Sequence, residues 1–182
     1  MGNIVNLATL DELKEMCKAE APVPAEPLTP ERFARVLDSL QAKCVRREYC
    51  VSDIRKKALK AVDGDNAKAE ELVKALVRER FVDDMRFASA FAREKSSLTG
   101  WGPSKIRYAL QMKGIDRETI SSALEEIDEN AADAKLLKVL TAKWRLLRED
   151  PYGKFKLIKF GLSRGYAYDD VAQAADKAMN EE

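Results

Sequence analysis

From Thr29 onward, apolar residues return every three or four positions, the spacing that lays one stripe along a helix. Phe33, Val36, Leu37, Leu40 and Cys44 form the first stripe. Thr29 followed by Pro30 predicts where it begins, because the threonine caps the first amides and the proline is preset for the first helical position. Ser52 is read as the cap of a second helix with Ile54, Ala58 and Ala61 on one side. Asp63-Gly64-Asp65-Asn66 marks a turn, and Leu72, Val73, Leu76 and Val77 the stripe of a third helix. No comparable stretch alternates with period two, and β-branched residues do not cluster. Helix, short break and helix then recur to the end. The class predicted is all-α.

The pattern also repeats at longer range. Lys105-Ile106-Arg107, Leu110, Lys113-Gly114, Ile120 and Leu124 define one unit. Arg164-Gly165 and Val171 reproduce its second half, and Asp53-Ile54-Arg55 its beginning, each about fifty residues away. Three three-helix units are expected, at residues 30–81, 82–129 and 130–182. Gly114 and Gly165 are expected to end the middle helices of their units in the left-handed conformation. Pro103 and Pro151 are expected in the first turns of the same helices. A bundle this small hides too little surface to be sturdy by itself. The predicted molecule is therefore three tandem three-helix bundle repeats leaning on one another as an elongated, curved row.

Residues 1–29 read as an N-terminal extension and linker. Thr9-Leu10-Asp11-Glu12 resembles a capping box before one short helix. Pro22, Pro24, Pro27 and Pro30, four of the chain's six prolines, then favour an extended segment. No apolar run approaches the roughly twenty residues of a membrane span. The first residues lack the basic head and apolar stretch of a secretory signal. Cys17, Cys44 and Cys50 have neither zinc-ligand nor disulfide-framework spacing and read as free thiols. The expectation is a cytoplasmic protein with no membrane contact.

Charge changes the picture more than composition does. The 32 Lys and Arg nearly balance the 31 Asp and Glu, but they are segregated. Residues 43–60 hold Lys43, Arg46, Arg47, Arg55, Lys56, Lys57 and Lys60 against Glu48 and Asp53. Residues 143–165 are equally basic, while 116–133 carry seven acids against Arg117. Basic charge thus gathers on the middle helix of each unit, and acid on the last helix of the second and third. Stacked in register, the middle helices would form a positive stripe suited to phosphates or to a partner's acidic patch. Tyr49, Trp101 and Tyr108 lie near these segments and are read first as packing aromatics, with base stacking as the alternative.

Little in the chain suggests catalysis. With 0 His, imidazole bases and His-ligated metals are excluded. Asp83-Asp84 is the most suggestive acidic pair, yet it immediately precedes Met85-Arg86-Phe87-Ala88, where carboxylates cap a helix. No glycine-rich phosphate loop or nucleophile elbow occurs. No catalytic residue, cofactor or metal is expected.

Two stretches carry a specific resemblance. Phe81-Val82-Asp83-Asp84-Met85-Arg86-Phe87-Ala88, with Phe91, is followed by Gly100-Trp101-Gly102-Pro103-Ser104-Lys105-Ile106-Arg107-Tyr108-Ala109-Leu110-Gln111-Met112-Lys113-Gly114-Ile115. Both resemble motifs of the RecX family, in the family's order and spacing. Arg46-Arg47-Glu48-Tyr49, leading into Ser52-Asp53-Ile54-Arg55-Lys56-Lys57, is similar to its first repeat. The resemblance spans about residues 31–180 and is loosest in the third unit; Ala109 stands where a Glu is common. It implies a non-enzymatic regulator that binds the filament of the RecA recombinase. Such a regulator inhibits or modulates filament growth, ATPase and strand exchange, and so restrains recombination, DNA repair and the SOS response. Arg46, Arg47, Lys56, Lys57, Lys105, Arg107, Lys154 and Lys156 are the candidate contacts with RecA acids or DNA phosphates. Phe87, Phe91, Ile106, Leu110, Ile120 and Leu124 are assigned to the middle core, and Asp83 and Arg86 to a cap and an ion pair. Direct contact with single- or double-stranded DNA stays open. So does the alternative of a helical DNA-binding protein acting without a recombinase. A monomer is expected.

Overall fold

The computed structural model describes residues 29–180. The short helix and most of the proline-rich linker expected before Thr29, and Cys17, lie outside the described residues. Those described form nine α-helices and no strand. Three successive helices enclose one apolar core, and the arrangement occurs three times.

The first core joins α1 (Pro30–Arg46), α2 (Val51–Ala61) and α3 (Asn66–Arg78) around Leu40, Ile54, Leu72 and Leu76. Thr29 caps α1 by accepting the Arg32 amide at 3.2 Å, with Pro30 at the first helical position. Asp65 caps α3 through the Lys68 amide. The helical period correctly places Leu72, Val73 and Leu76 inside, whereas Val77 is 42% exposed.

The second core joins α4 (Asp84–Ser97), α5 (Pro103–Gln111) and α6 (Arg117–Glu125). Phe87, Ile106, Leu110 and Ile120 are buried in it, with Phe91 and Leu124 packed at its edge. Cys50, from the loop before α2, also belongs to this core and is fully buried. That side chain seats the first unit on the second.

The third core joins α7 (Glu129–Trp144), α8 (Gly153–Ser163) and α9 (Tyr168–Asn180) around Leu136, Leu140, Leu157 and Val171. Here the repeat is altered. Gly161 takes the place that Leu110 has in the second unit, and an added Cβ there would strike the Val171 side chain. Losing the leucine lets α8 and α9 approach closely.

Gly114 and Gly165 end α5 and α8 with φ of +79° and +90°, the left-handed conformation expected of them. Two helix starts differ from expectation. α2 begins at Val51, so Ser52 lies inside its first turn instead of capping it. Pro151 stands in the turn ahead of α8, which begins at Gly153. In that turn the Asp150 side chain accepts the Tyr152 amide at 2.9 Å.

The two junctions between units are built differently. α4 packs along α7, which joins the second unit to the third, while among the described residues no helix of α1–α3 packs extensively on a later one. The first unit is attached mainly by Cys50 and by polar side chains. The result is a row in which the middle unit makes both connections.

Candidate interaction surface

The polar junction explains the missing cap of α2. Its N-cap residue, Cys50, makes no side-chain capping bond. Asp84 of the second unit accepts the Val51 amide at 2.8 Å instead. Beside it, Lys113 pairs with Asp53 at 2.5 Å, and Arg86 pairs with Glu48 at 2.7 Å. Arg86 also donates to the carbonyls of Arg80 and Phe81, closing the turn after α3. Asp83 accepts the Arg86 amide at 3.0 Å. Both carboxylates of the Asp83-Asp84 pair are thus engaged by helix amides. Burial pushes the Asp84 carboxyl above its ordinary value, partly offset by the Val51 amide. Burial also raises the Cys44 and Cys50 thiols, away from the reactive thiolate form.

The other junction is a backbone latch. Gly102 donates its amide to the Arg164 carbonyl at 2.8 Å, and Ser104 to the Gly165 carbonyl at 3.1 Å. The open amides at the start of α5 are therefore satisfied by carbonyls at the end of α8. Arg164 returns a bond to the Thr99 carbonyl at 2.7 Å. A Cβ on Gly102 would collide with the Gly165 carbonyl, and one on Gly165 with Lys105. Gly100-Trp101-Gly102-Pro103 is thus where two units are fastened together.

The eight predicted contact residues fall into distinct settings. Arg46, Lys56 and Arg107 are exposed, and among the described residues no carboxylate pairs with them. Arg47 and Lys57 come together over the Tyr49 ring, at 4.6 and 5.3 Å from its centroid. Lys105 turns inward, donating to the Ser163 carbonyl at 3.1 Å and lying 4.9 Å from the Trp101 centroid. Lys154 pairs with Asp176 at 3.0 Å, and Lys156 pairs with Asp150. Both of these third-unit candidates are therefore answered within their own unit. Tyr49 and Trp101 are packing aromatics as expected. Tyr108 is 64% exposed and is not.

Arg32 and Arg35, which the apolar pattern does not single out, join Lys43, Lys57 and Lys60 on one surface. A groove of about 550 Å³ between α1 and α2 has these five among its lining residues and, among the described residues, no acid. Arg32 and Arg35 share the face of α1 that carries Ser39 and Lys43, a helical spacing hidden when only apolar positions are followed.

The pattern defining the second three-helix domain of RecX matches residues 83–124, the stretch that forms α4 to α6. A Regulatory protein RecX from Salmonella paratyphi B is 30% identical over 150 residues, covering 78% of this chain and 90% of that protein. The chain belongs to the RecX family. A second RecX relative, from Clostridium botulinum, is 35% identical over 127 residues. That match takes in 67% of this chain but spans 58% of the length of the Clostridium protein. Two solved RecX structures share the fold. One, from Lactobacillus salivarius, has a TM-score of 0.70 at 17% identity, covering 84% of this chain and 99% of that one. The other, a regulatory protein RecX, has a TM-score of 0.69 at 22% identity and covers 82% and 72% of the two chains. The RecX relatives are named regulatory proteins. Among the described residues, no helix is long and apolar enough to cross a membrane.

Proposed function

We propose that this RecX-family chain is a non-enzymatic, cytoplasmic regulator of the RecA recombinase that lies along the RecA–DNA filament. The observation that supports it most is the succession of three separately cored units, the first joined to the second through Cys50 and the Asp84–Val51 bond and the second to the third through the Gly102–Arg164 latch. A row of this kind can touch several neighbouring protomers of a polymer at once. Each weak contact then gains from the effective concentration set by the others. Occupying the filament in this way obstructs monomer addition and strand exchange without any bond being broken. The exposed cations Arg46, Arg47, Lys56, Lys57 and Arg107 make the contacts with RecA acids or DNA phosphates. Lys105, Lys154 and Lys156, also candidates from the sequence, contribute less because each already holds an internal partner.

The test is RecA's DNA-stimulated ATPase with the full chain titrated in. Inhibition well below one regulator per RecA is the expected result. No effect on the ATPase, together with tight and salt-sensitive binding to bare DNA, would overturn this reading in favour of a DNA-binding protein independent of a recombinase.

A further inference from the structure

The groove between α1 and α2 brings Lys57 and Lys60 of the first unit's middle helix together with Arg32, Arg35 and Lys43 of α1 around one apolar floor. Its floor is apolar, formed by Val36, Leu40 and Ala61. Its rim is cationic. Arg32 on that rim is engaged with Asp63 at 2.5 Å, and Lys43 donates to Ser39 at 3.0 Å. Arg35, Lys57 and Lys60 are exposed, and among the described residues no carboxylate pairs with them.

We infer that this groove is a docking site for an acidic protein segment that carries an apolar anchor side chain. Two complementarities define the partner. Carboxylates answer the rim, and one aliphatic side chain covers the floor, so that a single segment satisfies both. The volume of about 550 Å³ accommodates such an anchor and its immediate neighbours. Nucleic acid fits less well. A phosphodiester backbone has no apolar group to fill the floor, and stacked bases need aromatic faces, of which the lining residues contribute none. The inference rests on the reading that the first unit's basic face meets a protein partner, but peptide binding is read without RecA.

The full chain is titrated into a fluorescein-labelled peptide of Glu and Asp around a single central Leu, and anisotropy is followed. Saturable binding is expected. Lys57→Glu combined with Lys60→Glu, both on exposed positions, should weaken it by about tenfold. Replacing the peptide's Leu with Ser should also weaken it by about tenfold or more, since the apolar burial of the leucine is lost. Equal affinity for the Leu and Ser peptides overturns the inference, as does the absence of saturable binding. Tighter binding of oligothymidylate than of the peptide, lost in the same variant, also overturns it and marks the groove as a phosphate surface. If the peptide binds as expected while RecA's ATPase is unaffected, the groove stands and the filament reading falls.

Discussion

The carboxylate of Asp84 accepts the amide of Val51 at 2.8 Å, so the first turn of a helix in one unit is capped by the side chain of the next. α2 has no capping side chain of its own. Losing a cap typically costs about 1 kcal/mol. Asp84→Ala should therefore lower stability by about that amount in urea denaturation, while Asp84→Asn, which keeps an oxygen acceptor, should not. An alanine variant as stable as the parent would show that water replaces the cap at no cost.

The same junction fixes a pH dependence. Burial alone would raise the Asp53 carboxyl, but the hydrogen bond and charge of Lys113, with a hydrogen bond from Cys50 and the charge of Lys56, hold it below its ordinary 3.8. A folded value below the unfolded one means stability that is present above about pH 4 and lost as pH falls through the folded value. Asp84 is shifted the other way. Its contribution is present in full below its ordinary 3.8 and declines as pH rises through the raised folded value. Asp53→Asn should therefore be less stable than the parent at neutral pH, and the gap should close below about pH 4. Denaturation midpoints measured across that range decide it; a gap that persists in acid would mean the Asp53 charge is not the cause.

Gly114 and Gly165 occupy matching positions and have matching backbone angles, yet they should respond differently to alanine. A Cβ on Gly114 meets nothing within 4 Å, which leaves only the left-handed backbone penalty of roughly 1 kcal/mol. A Cβ on Gly165 also strikes Lys105 across the latch. Gly165→Ala should lose about 1–3 kcal/mol more. It should also speed hydrogen exchange at the Gly102 and Ser104 amides, which Gly114→Ala leaves protected. Equal losses would mean that the latch yields without strain.

Arg80 ends α3 at φ 59°, doing with a side chain what glycine does after α5 and α8. The Phe81 amide reaches back to the Leu76 carbonyl at 2.9 Å, which requires that conformation. Arg80→Gly removes the Cβ penalty and keeps the carbonyl that Arg86 uses. The expected change is a gain of about 0.5–1 kcal/mol, visible as a higher melting temperature. A lower one would show that the Arg80 side chain contributes a contact worth more than the strain.

What the chain pattern revealed was local. Leu72, Ile106 and Ile120 follow from a 3.6-residue period, Gly114 and Gly165 from the need for a left-handed residue, and Asp83 from its place before a helix. The misplaced start of α2 has a different origin. Its cap comes from Asp84, more than thirty residues away, so no local pattern announces it. Cys50 counts among the second unit's core, and Lys105 turns toward the third unit, for the same reason. Charge was legible as an amount and not as a pairing: the sequence shows a basic third unit, but only the folded chain brings Lys154 to Asp176.

Cations without a carboxylate partner and cations held in ion pairs should respond differently to charge reversal. Arg46, Lys56 and Arg107 are exposed with no carboxylate paired to them among the described residues, whereas Lys154 and Lys156 are held by Asp176 and Asp150. An internal partner screens a cation from an incoming one and must be given up before a new contact forms. Reversing Arg46, Lys56 and Arg107 to Glu together should raise the concentration needed for half-maximal inhibition of RecA's ATPase by about tenfold or more. Reversing Lys154 and Lys156 should move it far less. Circular dichroism checks that helical content is unchanged in both. Lys105 is left intact, because its bond to Ser163 belongs to the latch and its loss would confuse contact with architecture. If the paired cations prove as important as the free ones, the third unit's ion pairs open on binding, and the surface extends along all three units.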